Sequence, residues 1–142
     1  MKLTVLNPGK AEGEILLLDE SLSFWGGFDP HEGRIIDRQH PQAGYSIAGK
    51  VLVMPMSRGS AGTPAGVAES LRKGKGPKAI ILRQPDVNLS VGVMVAAKLY
   101  GCGIPVLAAM SHDYSRLRGG MLVSINQDGR TLAQPPMPDH AF

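Results

Sequence analysis

Gly49-Lys50-Val51-Leu52-Val53-Met54-Pro55 decides the fold, because it holds a short continuous apolar run that ends at a proline. Such runs are typical of strands buried on both faces, whereas strands with one wet face alternate. A glycine-rich turn, Ser57-Arg58-Gly59-Ser60-Ala61-Gly62, follows, and then Thr63-Pro64, which suits a helix cap and a first helical turn. We therefore predict a strand, a turn and a helix ending near Lys73-Gly74, which together form half of a βαβ unit.

The same order of elements repeats further along the chain. Ala79-Ile80-Ile81-Leu82 predicts a second buried strand, and Val106-Leu107-Ala108 predicts a third. Between them, the stretch from Val91 to Tyr100 favours a helix that Asn88 or Ser90 caps and Gly101 ends. The sequence thus predicts an α/β fold with a core of parallel strands and flanking helices.

The two ends of the chain favour additional β-hairpins. Alternation around Leu3 and Val5, the Asn7-Pro8-Gly9 turn and the apolar run Glu14–Leu18 predict a hairpin at the start. A further strand, Met121–Ile125, leads through Asp128-Gly129, a strong hairpin signal, into Thr131-Leu132-Ala133. We expect one domain over residues 1–134 and a flexible tail over 135–142, where three prolines occur.

Composition excludes several classes of function. The formal charge is +3, from 15 basic and 12 acidic residues, and the basic residues are spread along the chain, which argues against a nucleic-acid partner. Cys102 is the only cysteine, so an internal disulfide or a cysteine-bound iron–sulfur cluster within this chain is excluded. No apolar stretch approaches the ~20 residues of a membrane span. We expect a cytoplasmic protein that binds no cofactor itself.

A long segment without clear periodicity, Ser21–Ser46, contains the first candidate site residues: Gly26, Gly27, Asp29, Asp37 and His40. Loops of this length are uncommon in small domains unless they have a function. The two aspartates and the histidine could orient a substrate, move protons or contact a partner chain. Alternatively, the aspartates make local turn bonds and His40 lies at the surface. Their spacing matches no metal-ligand pattern.

The second candidate is Arg58-Gly59-Ser60, which follows a buried strand and precedes a helix. Open α/β sheets bind ligands at this edge, and a helix amino end favours anions. Arg58 offers a fork for a carboxylate or phosphate, and backbone N–H groups near Gly59 could stabilise a serine alkoxide at Ser60. The alternative is a tight turn in which Ser60 bonds its own backbone.

Several of these stretches together resemble the small subunit, or swivelling domain, of the aconitase X family. The resemblance covers roughly residues 16–125 and rests on four motifs: Ser23-Phe24-Trp25-Gly26-Gly27-Phe28-Asp29, Gly33-Arg34-Ile35-Ile36-Asp37 with His40-Pro41, Gly49-Lys50-Val51-Leu52-Val53, and Arg58-Gly59-Ser60. It implies a swivelling β/β/α domain. It also implies a large-subunit partner that carries an iron or iron–sulfur centre.

The family's chemistry is the dehydration of hydroxy acids, either cis-3-hydroxyproline or mevalonate 5-phosphate. The resemblance assigns Ser60 as the catalytic base, with Arg58 and Gly59 steadying negative charge and the Ser21–Ser46 residues shaping the pocket or the subunit seam. One departure is Ala61-Gly62-Thr63, where many relatives carry more hydroxyl residues. This departure leaves the substrate open.

Two other functions remain possible from the sequence. The chain could be a noncatalytic domain that binds a small anion or acts as a scaffold, or a hydrolase that uses Ser60 with a histidine. The dehydratase hypothesis adds a structural expectation, namely an exposed apolar patch around Trp25 and Phe28 where the large subunit docks.

Overall fold

The computed structural model describes residues 1–57 and 62–136. Within these ranges the chain forms nine strands and three helices. The strands are β1 (Thr4–Asn7), β2 (Ala11–Leu17), β3 (Phe28–Asp29), β4 (Arg34–Ile35), β5 (Val51–Met54), β6 (Ala79–Leu82), β7 (Val106–Ala108), β8 (Leu122–Ile125) and β9 (Thr131–Gln134). The helices are α1 (Thr63–Arg72), α2 (Val87–Tyr100) and α3 (Ser111–Ser115).

Seven strands form the main sheet, in the order β1-β7-β6-β5-β2-β8-β9, and β3 and β4 form a separate small sheet. The central strands β2, β5, β6 and β7 are mutually parallel, whereas β1, β8 and β9 pair antiparallel with their neighbours. The predicted parallel core is therefore confirmed. β2 extends it by one strand, because Ile15 to Leu17 pair with Val51 to Val53.

The continuous apolar runs arise as the sequence predicts, because β5, β6 and β7 are buried on both faces. On one face, Leu52, Met54, Ile80 and Leu82 belong to the core under the helices. On the other face, Val51, Val53, Ala79, Ile81 and Leu107 pack with residues of β2 and β8. Two cores thus hold the sheet between them.

The helix boundaries differ from the sequence prediction at their amino ends. α2 begins at Val87 rather than Val91, because Asp86 caps it and accepts a hydrogen bond from the Leu89 N–H at 3.1 Å. α1 begins at Thr63, with Gly62 as the cap residue and no side-chain cap bond. Gly101 ends α2 in the left-handed conformation (φ 65°), as predicted.

The hairpin predicted at the start of the chain is wrong. β1 pairs with β7, and β2 pairs with β5 and β8. The apolar half of β2 lies beside β5 in the sheet, and its Leu16 and Leu17 pack against the two different cores. The second predicted hairpin is confirmed, because β8 and β9 pair antiparallel around Asp128-Gly129.

The main sheet curls until its two ends meet. Residues just before β1 contact the start of β9: the Leu3 N–H donates to the Gly129 carbonyl at 3.0 Å, and the Thr131 N–H donates to the Met1 carbonyl at 2.8 Å. Lys2 and Arg130 form an antiparallel bridge between these bonds. The seven strands therefore form a closed ring.

Two further predictions concern the limits of the domain and membranes. The last strand ends at Gln134, and residues 137–142 of the predicted tail lie outside the described residues. The longest helix in the described ranges, α2, has 14 residues, and none of these helices is long and apolar enough to cross a membrane.

Candidate functional site

The candidate site lies at the carboxyl ends of the parallel strands. β2, β5 and β6 end side by side, and hydrogen bonding continues past them, since the Arg83 N–H donates to the Pro55 carbonyl at 3.1 Å. Ser57 forms a parallel bridge with Leu22. The predicted residues Arg58, Gly59 and Ser60 follow Ser57 directly and lie outside the described residues. The structure therefore describes the two residues that flank this stretch, Ser57 and Gly62.

A buried carboxylate holds the chain where it enters the motif. Asp86 Oδ2 accepts hydrogen bonds from the Ser57 N–H at 2.9 Å and from the Ser57 hydroxyl, while Oδ1 accepts from Leu89. Ser57 and Asp86 are only 5% and 8% exposed. Charge-assisted bonds of this kind are stronger than neutral ones. The Asp86 carboxylate thus joins the end of β5 to the start of α2.

An indole ring covers the chain where it leaves the motif. A methyl group placed on Gly62 would lie 2.5 Å from Cγ of Trp25, so only glycine allows this approach. Trp25 also belongs to the segment that contains Leu22, which bridges Ser57. The segment from Leu22 to Trp25 therefore borders both flanks of the Arg58-Gly59-Ser60 motif.

The glycines and aspartates of the long segment come together in and around the small β3–β4 sheet. The Gly27 carbonyl accepts hydrogen bonds from the Ile36 N–H at 2.9 Å and the Asp37 N–H at 3.3 Å. Asp29 lies on β3, opposite Arg34. Each aspartate also accepts a bond from the amide two residues further on, Asp29 from His31 and Asp37 from Gln39. Gly26 is exposed beside them, with a φ of 96°.

His40 is buried, with 4% of its surface exposed, rather than lying at the surface. Its Nδ1 accepts a hydrogen bond from the Gln42 N–H at 3.0 Å, which requires the ring proton to be on Nε2. Nε2 lies 3.1 Å from the carbonyl oxygen of Glu20 and donates to it. His40 therefore fixes the chain just after β2, at the same sheet edge as Ser57.

A depression of about 450 Å³ opens at this edge. Its lining comes from the ends of three neighbouring parallel strands: Glu20, Ser21, Pro55, Met56, Ser57 and Arg83. The Arg83 guanidinium lies over the Tyr114 ring, 5.8 Å from its centroid, within the range of a cation–π contact. Burial raises the pKa of Tyr114, and the positive charge of Arg83 acts weakly in the opposite direction. The ring is therefore uncharged at neutral pH.

The apolar patch expected around Trp25 and Phe28 is confirmed for Trp25 only. Trp25 is 61% exposed, whereas Phe28 is buried and packs edge-on against Phe24, with ring centroids 5.4 Å apart. The edges of these rings still line a cavity of about 430 Å³ beside α1, together with Gly26, Pro30, Ala65, Gly66 and Glu69. A concave, partly apolar surface thus adjoins the exposed indole.

Asp86, Ser57, Arg83 and Tyr114 were not among the candidates predicted from sequence. Asp86 gave one usable signal, because an aspartate three residues before Leu89 suits a helix cap. The others gave none, since they meet only through the neighbouring positions of β5, β6 and β7. Across the described residues, no group of three or more histidine, cysteine or carboxylate side chains could hold a metal ion.

Comparison with known proteins agrees with this geometry. The chain superimposes on the crystal structure of Thermococcus kodakaraensis aconitase X in its holo form with a TM-score of 0.82 and 32% identity, covering 95% of this chain and 99% of that one. The shared layout, a curled mixed sheet with few helices, is that of swivelling β/β/α domains. The sequence model of the aconitase X swivel-domain family matches residues 1–133 of this chain. The chain belongs to the aconitase X swivel-domain family.

Two curated relatives show the range of proteins that contain this domain. A phosphomevalonate dehydratase small subunit of Pyrococcus abyssi is 41% identical over 128 residues, which cover 89% of this chain and 92% of that protein. A cis-3-hydroxy-L-proline dehydratase of Hypocrea jecorina is 37% identical over 131 residues, or 92% of this chain. The chain spans only 22% of the length of this second relative.

Proposed function

We propose that this chain is the small subunit of a hydro-lyase that dehydrates a hydroxy acid resembling cis-3-hydroxyproline or mevalonate 5-phosphate. The observation that carries the proposal is the match to a phosphomevalonate dehydratase small subunit over 92% of that protein's length. The partner would be a large subunit of the aconitase X type. We further propose a cytoplasmic location, in agreement with the single free thiol of Cys102.

In this proposal, Ser60 removes the proton on the carbon beside the substrate carboxylate. The electron pair left by that proton forms the new double bond, and the neighbouring hydroxyl leaves as hydroxide, so that one water is lost. Arg58 and the backbone near Gly59 stabilise the negative charge that develops on the carboxylate. The Asp86–Ser57 contact supports this role, because it anchors the residue three positions before Ser60.

The metal or iron–sulfur centre of the reaction would belong to the large subunit, where it would act as the Lewis acid for the departing hydroxide. The residues of this chain do not fit such a centre. The sequence has one cysteine, and its described part has no cluster of ligating side chains. The contribution of this chain is then the base, the anion-binding groups and one wall of the pocket.

Replacement of the base tests the proposal. In the complex with the large subunit, Ser60→Ala should lower kcat by roughly 10²- to 10⁴-fold, as expected for the loss of a general base. The complex should still assemble, because the substitution removes only a hydroxyl group. The assay measures loss of cis-3-hydroxyproline or mevalonate 5-phosphate, and size-exclusion chromatography measures assembly.

The matched control is Ser124→Ala, a half-buried serine on β8, near the opposite end of the parallel strands. This variant should keep wild-type turnover. Retained turnover in Ser60→Ala would remove Ser60 from the role of base. An isolated chain that finds no large partner and dehydrates neither substrate would contradict the proposal as a whole.

A further inference from the structure

The depression beside Ser57 is lined by Arg83, a cationic residue that the proposed chemistry does not use. Arg83 follows β6 directly, and its backbone N–H is bonded to Pro55, the residue that ends β5. Arg83 therefore lies at the same sheet edge as Ser57, one strand away. Ligands of parallel α/β sheets bind at this edge.

Among the described residues, the Arg83 guanidinium contacts an aromatic ring and pairs with no carboxylate. It lies over the Tyr114 ring, which contributes a π face without a charge at neutral pH. In the described part of the chain it forms no ion pair with a carboxylate, unlike Arg72, which pairs with Glu69 at 2.6 Å, and Arg130, which pairs with Asp128. An exposed guanidinium without a carboxylate partner keeps its five donors available.

The size and lining of the depression fit a small molecule. Its volume of about 450 Å³ lies in the usual range of small-ligand sites, and its rim combines Pro55 and Met56 with the polar Ser21 and Ser57. Glu20 is the other charged side chain of the lining, so the cavity is not uniformly positive. An anion would therefore be bound by direct hydrogen bonds from the Arg83 guanidinium rather than by a net positive charge of the cavity.

From this geometry we infer that Arg83, supported by the face of Tyr114, is a substrate-binding residue that takes an oxyanion of the substrate, a carboxylate or a phosphate. The inference rests on the proposed function and adds a second arginine to the anion-binding groups of the site. Arg83 touches the substrate, whereas Tyr114 acts through Arg83 and is a positioning residue.

The first test is binding by the isolated 142-residue chain. Inorganic phosphate and acetate are titrated separately at constant ionic strength, and NMR follows the Nε–H of Arg83 and the amide signals of Met56 and Ser57. We expect saturable shifts in the wild type, and a weakening of at least about tenfold in Arg83→Met, as for the loss of a charge-assisted hydrogen bond. Saturation by phosphate but not acetate assigns a phosphate, and the reverse assigns a carboxylate.

The control is Arg72→Met, which removes an exposed arginine near the end of α1 and should leave the shifts unchanged. Tyr114→Phe keeps the ring face and should bind like the wild type, whereas Tyr114→Leu should weaken binding by a few fold. No saturable shift with either anion, or equal shifts in wild type and Arg83→Met, would overturn the inference.

Turnover by the complex provides the second test. Arg83→Met should raise KM by about tenfold with a smaller change in kcat, and Arg83→Lys should recover part of that loss. A wild-type complex that dehydrates neither substrate would refute the proposed function, and the binding titration would still decide the role of Arg83. A wild-type complex that is active and an Arg83→Met variant with unchanged KM would refute the inference alone.

Discussion

At the scale of single residues, the carboxylate of Asp86 serves two elements at once. It caps α2 through Leu89 and holds the N–H and hydroxyl of Ser57, and both residues are buried. When a buried donor loses its acceptor, the protein loses the hydrogen bond and also bears the free-energy cost of keeping that donor away from water. Substitutions here should therefore separate the contribution of the α2 cap from that of the bonds between Asp86 and Ser57, which we call the clamp.

We expect destabilisation to increase from Ser57→Ala to Asp86→Asn to Asp86→Ala. Ser57→Ala loses one hydroxyl bond. Asp86→Asn keeps an oxygen for the Leu89 cap but turns an amide donor towards the Ser57 N–H, which should cost about 1–3 kcal/mol. Asp86→Ala loses the cap as well, a further ~1 kcal/mol. Urea unfolding of the chain measures the series, and an Asp86→Asn variant as stable as the wild type would show that the clamp adds nothing.

Tyr114 should ionise at a higher pH than an ordinary tyrosine. Burial raises its pKa. Because burial favours the protonated ring, the folded pKa of Tyr114 lies above the unfolded one. The free energy of unfolding therefore keeps its full value below the unfolded pKa of about 10 and falls as pH rises through the folded pKa. In an alkaline titration followed by phenolate absorbance, the difference between wild type and Tyr114→Phe should be one phenolate that appears above the ordinary pKa of tyrosine. A profile unchanged by that substitution would contradict the assignment.

Residue-scale prediction from sequence succeeded where the signal was local. Gly62, the last residue of the predicted turn, proves to be required by the nearby Trp25 ring, whereas Arg58, Gly59 and Ser60 lie outside the described residues and their turn stays a prediction. Arg83 carried no such signal, because its meeting with Pro55 depends on the neighbouring positions of two strands far apart in sequence. The turn bonds of Asp29 and Asp37 were one of two alternatives that the sequence left open.

At the scale of elements, buried parallel strands were predictable and their neighbours were not. A continuous apolar run indicates burial on both faces, which holds for β5, β6 and β7. It does not say which strand lies beside it, and β2 therefore appeared to belong to a hairpin. The β8–β9 hairpin was predictable because Asp128-Gly129 specifies a turn locally.

The turn of that hairpin allows an element-scale prediction. Gly129 has a φ of 91°, and a methyl group on it would lie 2.5 Å from the Leu3 carbonyl oxygen, whereas Gly44 has a φ of 89° and nothing within 4 Å. Both Gly→Ala variants strain the backbone by a similar amount. Gly129→Ala should therefore lower the free energy of unfolding by at least about 1 kcal/mol more than Gly44→Ala. If chemical denaturation gives equal losses of unfolding free energy for the two variants, the Leu3 backbone moves away from the added methyl group at no measurable cost.

At the scale of the whole molecule, Trp25 is the natural reporter of docking. It is the only tryptophan, is 61% exposed and adjoins both Gly62 and a concave apolar surface. If the large subunit covers this surface, 5-fluorotryptophan at position 25 should show a shifted, broadened ¹⁹F signal with a smaller solvent isotope shift in the complex. A complex that forms while the ¹⁹F signal stays unchanged would place the subunit seam elsewhere.

The ring closure of the main sheet has a consequence for how this protein is made in the cell. The bonds that close it join residues 1–3 to residues 129–131, a separation of nearly the whole described chain. Contacts so distant in sequence form slowly, because the entropy of closing a long loop opposes them. A nascent chain whose residues 129–131 are still inside the ribosome therefore cannot form the bonds that close the ring. Folding, and with it any capture by a large subunit, is completed only after residue 131 has emerged from the exit tunnel.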